Sequence, residues 1–286
     1  MALLEPGFLR KLEALALWAE QPGRGQRGER SARSAGSGVA FAGHRAYAAG
    51  DDFRFIDFAL YARSDRLHVK QFEEERELAI ELLLDCSGSM EAKLPLAKQL
   101  AAALGYLALV HSDRVAVQPF ASAPLARLEP LRGARRALLL LRHLEALRAD
   151  GGTDLLQAAR AVRARTRRGG LAFVISDGYD VPNLLAGIDV LRHAHLAPVV
   201  LLLEHAEEAS PSLDGELTLV DRETGEERVV TVDARVLARY REAYRRRRQE
   251  LRSGLRERHV RTFELDSATP IEHAVLSLLR RGGVVR

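Results

Sequence analysis

Three almost continuously apolar runs constrain this chain most: Leu78–Leu84 (LAIELLL), Leu171–Ser176 (LAFVIS) and Pro198–Glu204 (PVVLLLE). Such runs suit strands covered on both faces, and helical patterns stand between them. The spacing predicts helices over about Glu91–Ser112, Arg135–Leu147, Asp154–Thr166 and Leu184–His193, with short strands at about Leu67–Glu73 and at RVAVQPF, 114–120. Strands alternating with helices imply an α/β fold, a doubly wound and mainly parallel sheet with helices on both faces. Two β-rich stretches flank Glu223-Thr-Gly-Glu226, so a hairpin is expected to be inserted near 214–233. A long helix (RVLARYREAYRRRRQELRSGLRER), the strand VRTFELD and a last helix from about Pro270 complete the pattern.

Before the first apolar run the chain reads differently. The stretch from Met1 to Glu20 interleaves Glu5, Arg10, Lys11 and Glu13 with leucines. That is an amphipathic helix rather than the uninterrupted apolar centre of a signal peptide. Residues 21–52 are rich in Gly, Ser and Arg and read as an extended loop or arm, with a basic cluster at Arg24, Arg27, Arg30 and Arg33. The expected division is therefore 1–75, comprising the first helix, basic loop and arm, and 76–286, comprising the α/β domain with its hairpin. The run Ala197–Leu203 is too short to span a bilayer, so no membrane insertion is expected. The single cysteine, Cys86, permits neither an internal disulfide nor a cysteine-based zinc site, and a cytoplasmic location is the default expectation.

The informative segment is LLLDCSGSM. An apolar strand runs straight into Asp85-Cys86-Ser87-Gly88-Ser89, and a helix follows. The C-terminal edge of a parallel sheet is the usual ligand crevice of α/β folds. One carboxylate and two hydroxyls, spaced two residues apart, can face a common point there. Two later loops add to this set: Thr153, just before a predicted helix, and Asp177, at the end of an apolar strand. Five oxygen donors of this kind suit a hard cation such as Mg²⁺ or Mn²⁺ and suit zinc or copper poorly. Cys86 reads as loop filler, and the histidines form no ligand-like repeat beyond His193-Ala-His195.

The ordered set Asp85, Ser87, Ser89, Thr153 and Asp177 resembles the metal-ion-dependent adhesion site of von Willebrand factor A domains. That resemblance implies metal ligation by these five residues, some through water, and a non-enzymatic role. The ion would dock a carboxylate donated by a protein partner, because hydroxyl ligands leave it under-neutralised. A second resemblance rests on Gly43-His-Arg-Ala-Tyr47, Gly50-Asp-Asp52, Arg54, Ile56-Asp57, Ala62-Arg63, Leu67 and Lys70-Gln-Phe-Glu73. It is to the bacterial domain of unknown function 58 family, with Phe58 where that family commonly has Trp. It implies work alongside a MoxR-type AAA+ ATPase in assembly or remodelling of other proteins. From the residues alone, the charges at Asp51, Asp52, Arg54, Asp57 and Arg63 read equally as a salt-bridged arm packing on the sheet or as a partner surface.

Two other functions compete. A metal-dependent hydrolase could use the Asp85 loop, although aspartate-nucleophile phosphatases need a second carboxylate where this chain has Ser87, and no P-loop is visible. An Arg-rich nucleic-acid binder is the other. However, 43 basic residues against 39 acidic give a net charge of only +4, so no nucleic-acid partner is expected. The block Arg245–Arg248 reads as the solvated side of an amphipathic helix whose other face carries Leu237, Tyr240, Tyr244 and Leu251.

Overall fold

The computed structural model describes residues 3–19, 39–74, 78–167 and 169–282. Its elements run α1 (Pro6–Ala19), β1 (Val39–Ala46), α2 (Phe58–Ser64), β2 (His68–Glu74), β3 (Ala79–Asp85), α3 (Leu94–Val110), β4 (Arg114–Phe120) and β5 (Leu128–Arg132). They continue with α4 (Ala137–Ala146), α5 (Leu155–Arg165), β6 (Gly170–Ser176), α6 (Val181–His193), β7 (Leu196–Glu204) and the short α7 (Ala206–Ala209). The last are β8 (Gly215–Val220), β9 (Glu227–Val232), α8 (Ala234–Glu257), β10 (Arg261–Asp266) and α9 (Ile271–Gly282).

The central sheet has six strands in the order β10-β7-β6-β3-β4-β5. All neighbouring pairs are parallel except β4–β5, which is antiparallel. The chain thus starts in the middle at β3, winds outward to one edge and then to the other, which is the doubly wound arrangement expected from the sequence. Because side chains alternate across a strand, the two faces can be read residue by residue. Ile80, Leu82 and Leu84 pack with Val115, Val117, Phe173 and Ile175 under α1, α3, α4 and α9. Leu83 packs on the opposite face with Ala172, Val174, Val200 and Leu202 under α5, α6 and α8. The one charge inside the β3 run, Glu81, is answered by Arg127, whose Nη2 donates to Oε1 at 2.9 Å.

Four features differ from the sequence reading. Val39–Ala46, expected as part of a loop, is strand β1 and pairs antiparallel with β2. The pairing slips between Phe41 and Gly43, a bulge that breaks the period-two pattern by which a strand is recognised. Strand β5 was not expected; it is five residues long and carries Pro130, which its place at the sheet edge accommodates. The first helix does not belong with the arm as the 1–75 division has it. Phe8, Leu12 and Leu15 are buried in the same core as the sheet, and residues 39–74 form a compact unit of their own. Finally, Arg245–Arg248 is not uniformly solvated. Arg248 is 4% exposed and ion-paired with Glu204 and Glu264, while the Arg247 guanidinium lies 3.5 Å from the Tyr179 ring centre. Leu237, Tyr240, Tyr244 and Leu251 do turn inward as expected.

Within the unit 39–74 several charges pair with one another. Arg45 grips Asp51 with two hydrogen bonds of 2.6 Å, Arg54 pairs with Asp52, and Asp57 caps α2 while accepting from His44. The cluster Arg24, Arg27, Arg30 and Arg33 lies outside the described residues. Among the described residues, no helix is long and apolar enough to cross a membrane.

Candidate metal centre

The site lies at the C-terminal edge of the sheet, where β3 ends in Asp85. Backbone hydrogen bonds stitch the surrounding loops together before any side chain is considered. Cys86 N–H donates to the Phe120 carbonyl at 2.7 Å, Gly88 N–H to Gly151 at 2.7 Å, Asp150 N–H to Cys86 at 2.8 Å and Asp154 N–H to Ala121 at 2.7 Å. Gly151 and Gly178 take φ of +67° and +68°, a left-handed conformation that glycine adopts without strain. Asp154 and Asp180 then cap α5 and α6, which fixes where the loops before those helices end.

Into this frame Asp85 projects a fully buried carboxylate. Its Oδ1 accepts the Ser87 N–H at 2.9 Å, and its Oδ2 accepts the Thr153 hydroxyl at 3.0 Å and the Ser176 hydroxyl at 2.6 Å. The Ser87 and Ser89 hydroxyls are 3.1 Å apart and hydrogen-bonded. Burial, followed by the nearby Asp177 charge, pushes the Asp85 carboxyl up to about 6. All five residues singled out from the sequence therefore meet at one place, although Asp177 reaches the others through its charge rather than through a direct bond.

Four further residues shape the site. Lys93 has no exposed side-chain surface; its ammonium donates to Asp177 Oδ2 at 2.7 Å and to Glu208 Oε1 at 2.6 Å. Burial works against that ammonium, yet its two carboxylate partners hold it above the ordinary lysine value. Ser176 accepts the Gly178 N–H at 3.0 Å while donating to Asp85. Glu223, at the turn between β8 and β9, lines the same pocket as Gly88, Ser89 and Thr153. Its carboxyl is pushed up by burial and then by Asp177 and Asp85. No pattern in the sequence marks Lys93 or Glu223, because one resembles a solvated lysine before a helix and the other an ordinary turn residue. Cys86 is buried, and burial beside Asp85 pushes its thiol up to about 12, which keeps it un-ionised and inert. Among the described residues, no group of three His, Cys, Asp or Glu side chains is arranged to hold a metal, so any ion here depends on hydroxyl ligands.

The hairpin docks on this edge by backbone as well as by side chain. A Cβ placed at Gly88 would collide with the Arg222 carbonyl, and Arg222 is ion-paired with Glu91. Gly88→Ala should therefore lift the hairpin tip without unfolding the sheet. Trypsin cleavage after Arg222 should accelerate severalfold while the thermal midpoint moves by no more than a few degrees; unchanged cleavage would mean that the tip is not seated on Gly88.

Residues 43–250 match the family described as "Protein of unknown function DUF58", and the chain belongs to that family. Among curated proteins it is similar to the uncharacterized protein Rv1480 of Mycobacterium tuberculosis and to the uncharacterized protein Mb1516 of Mycobacterium bovis. Each is 29% identical over 198 residues, 66% of this chain and 62% of the relative's length. The match thus spans less than two thirds of those relatives. Among solved structures it is similar to the conserved hypothetical protein BatB from Bacteroides thetaiotaomicron, with a TM-score of 0.43 and 17% identity over 70% of this chain and 96% of that one. It is also similar to the SpRpn10 VWA domain, with a TM-score of 0.39 and 11% identity over 70% of this chain and 94% of that one.

Proposed function

We propose that this protein is a metal-dependent protein-binding module in which Asp85, Ser87, Ser89, Thr153 and Asp177 hold Mg²⁺ or Mn²⁺. The observation that carries the reading is the convergence of one fully buried carboxylate with the Ser87 and Thr153 loops at the sheet edge. The donor set fits such an ion. Oxygen is the only donor type, hydroxyls outnumber carboxylates, and burying Asp85 near Asp177 has an electrostatic cost that a cation offsets. Lys93 neutralises much of Asp177, so the ion would face little more than one full negative charge from the chain. When bound, such an ion supplies an electrophilic position that attracts an anionic oxygen.

The remaining work falls to the protein. Ser176 and the Ser87 N–H fix the Asp85 carboxylate in one orientation, and the Gly88–Gly151 bond holds the serine loop against the Thr153 loop. We read this as binding chemistry rather than turnover, because Ser87 stands where an aspartate-nucleophile phosphatase has its second carboxylate. We place the module beside a MoxR-type AAA+ ATPase, as the family resemblance implies.

Capture of such an ATPase should require Mg²⁺ and be lost in chelator. Ser89→Asp, which neutralises the ion, and Thr153→Ala, which removes a ligand, should each weaken capture roughly tenfold or more. Sustained hydrolysis of ATP or a phosphomonoester by the purified protein, lost on Ser87→Ala, would overturn the reading, as would capture indifferent to chelator and to both substitutions.

A further inference from the structure

The inserted hairpin is joined to the rest of the protein in an unusual way. Strands β8 and β9 pair with each other and with no other described strand, and Leu219, Val220 and Val229 are exposed. A two-stranded ribbon of this kind is marginal by itself. Its tip, in contrast, is well formed. Asp221 accepts the Glu223 N–H at 2.8 Å and the Thr224 N–H at 3.0 Å, and Asp221 N–H and Gly225 N–H close the turn at 2.9 Å each. The turn aims Glu223 inward while its neighbours Arg222 and Thr224 remain exposed.

Glu223 comes to rest between two of the site loops. Glu223 lines one pocket with Ser89 and Thr153, and a Cβ built at Gly152, next to Thr153, would lie 3.4 Å from Glu223 Oε2. A carboxylate is an unfavourable occupant there on charge grounds alone, since Asp85 and Asp177 both repel it. Lys93 offsets part of the Asp177 charge, but its ammonium donates to Asp177 and Glu208 rather than to Glu223, and Arg222 pairs with Glu91. A surface pair such as Arg222–Glu91 contributes little to holding the tip down.

We propose that Glu223 is an internal carboxylate ligand for the cation, so that the β8–β9 hairpin closes over the metal centre when the ion binds. This rests on the proposed metal-binding reading. The cation turns the repulsion among Asp85, Asp177 and Glu223 into attraction, and the weakly attached ribbon is the element free to respond. A partner carboxylate of the kind proposed above would have to displace Glu223, so the hairpin sets the threshold for docking.

The test uses the full chain with Mg²⁺ alone as the probe, read by amide hydrogen exchange at Glu223–Gly225 and by calorimetry. In the wild type, saturating Mg²⁺ should slow exchange at the tip roughly tenfold relative to chelator. Glu223→Gln keeps the shape of the side chain and removes its charge. It should abolish that slowing and weaken Mg²⁺ binding about tenfold, while leaving exchange in β3 and β6 unchanged. Mg²⁺ binding with tip exchange indifferent to it, or with equal affinity in Glu223→Gln, would overturn the internal-ligand proposal and leave the metal centre standing. Absence of Mg²⁺ binding to the wild type would overturn both.

Discussion

Lys93→Met should lower the stability of the metal-free protein by about 3–5 kcal/mol, the range for removing one partner from a buried ion pair. The Lys93 ammonium has no exposed surface and faces Asp177 on one side and Glu208 on the other. Without it, Asp177 remains buried near Asp85, and Arg248, which reaches only the Asp177 backbone carbonyl, is already paired with Glu204 and Glu264. The loss is a large part of the stability of an ordinary domain, which is of order 5–15 kcal/mol. Urea denaturation in chelator measures it. Adding Mg²⁺ should recover a substantial part, since a divalent ion can replace the missing positive charge, and Asp177→Asn in the same background should do so without metal. A loss below about 1 kcal/mol would mean that water reaches these carboxylates.

The second large effect belongs to Asp85 and depends on pH. Its carboxyl is raised from 3.8 to about 6 in the folded protein, so the fold prefers the protonated form. The cost of its charge is absent below pH 3.8, grows as pH rises through the interval, and is complete above about 6. A shift of this size corresponds to about 3 kcal/mol. In chelator, Asp85→Asn should therefore be more stable than the wild type by up to that amount at neutral pH, and no more stable at pH 4. The amide keeps an acceptor for the Ser87 N–H, and the Thr153 and Ser176 hydroxyls can turn to accept from its NH₂. Mg²⁺ should invert the order. At a thousandfold excess over its dissociation constant it stabilises the wild type by about 4.1 kcal/mol and leaves Asp85→Asn unmoved. An advantage for the variant that is flat with pH would mean that the effect is packing and not charge.

Much of this architecture was legible in the residues because the strands that carry it are unbroken apolar runs. Strands β3, β6 and β7 could be located from Leu78–Leu84, LAFVIS and PVVLLLE, and once they lie parallel the loops of Asp85 and Asp177 must emerge at one edge. Thr153 follows because its loop precedes helix α5 on the same side. What escaped reading was set by long-range packing. Lys93 looks like a solvated lysine until α3 turns it under Asp177. Glu223 looks like a turn residue until the hairpin folds back onto Gly88. Arg248 sits in a block of four arginines, and nothing local distinguishes the one that meets Glu204 and Glu264. Strand β1 was hidden by its bulge, and β5 by Pro130.

The central claim is that Asp85 and its hydroxyl neighbours hold a divalent cation, and a calorimetric Mg²⁺ titration of the wild type beside Asp85→Asn tests it most directly. The account predicts a single site per chain in the wild type. At pH 5 its affinity should be weaker than at pH 7, because the ion must displace the proton that the raised Asp85 carboxyl then holds. The folded Asp85→Asn protein should show no binding at either pH. Equal Mg²⁺ binding by the two proteins, or none by the wild type, would contradict it.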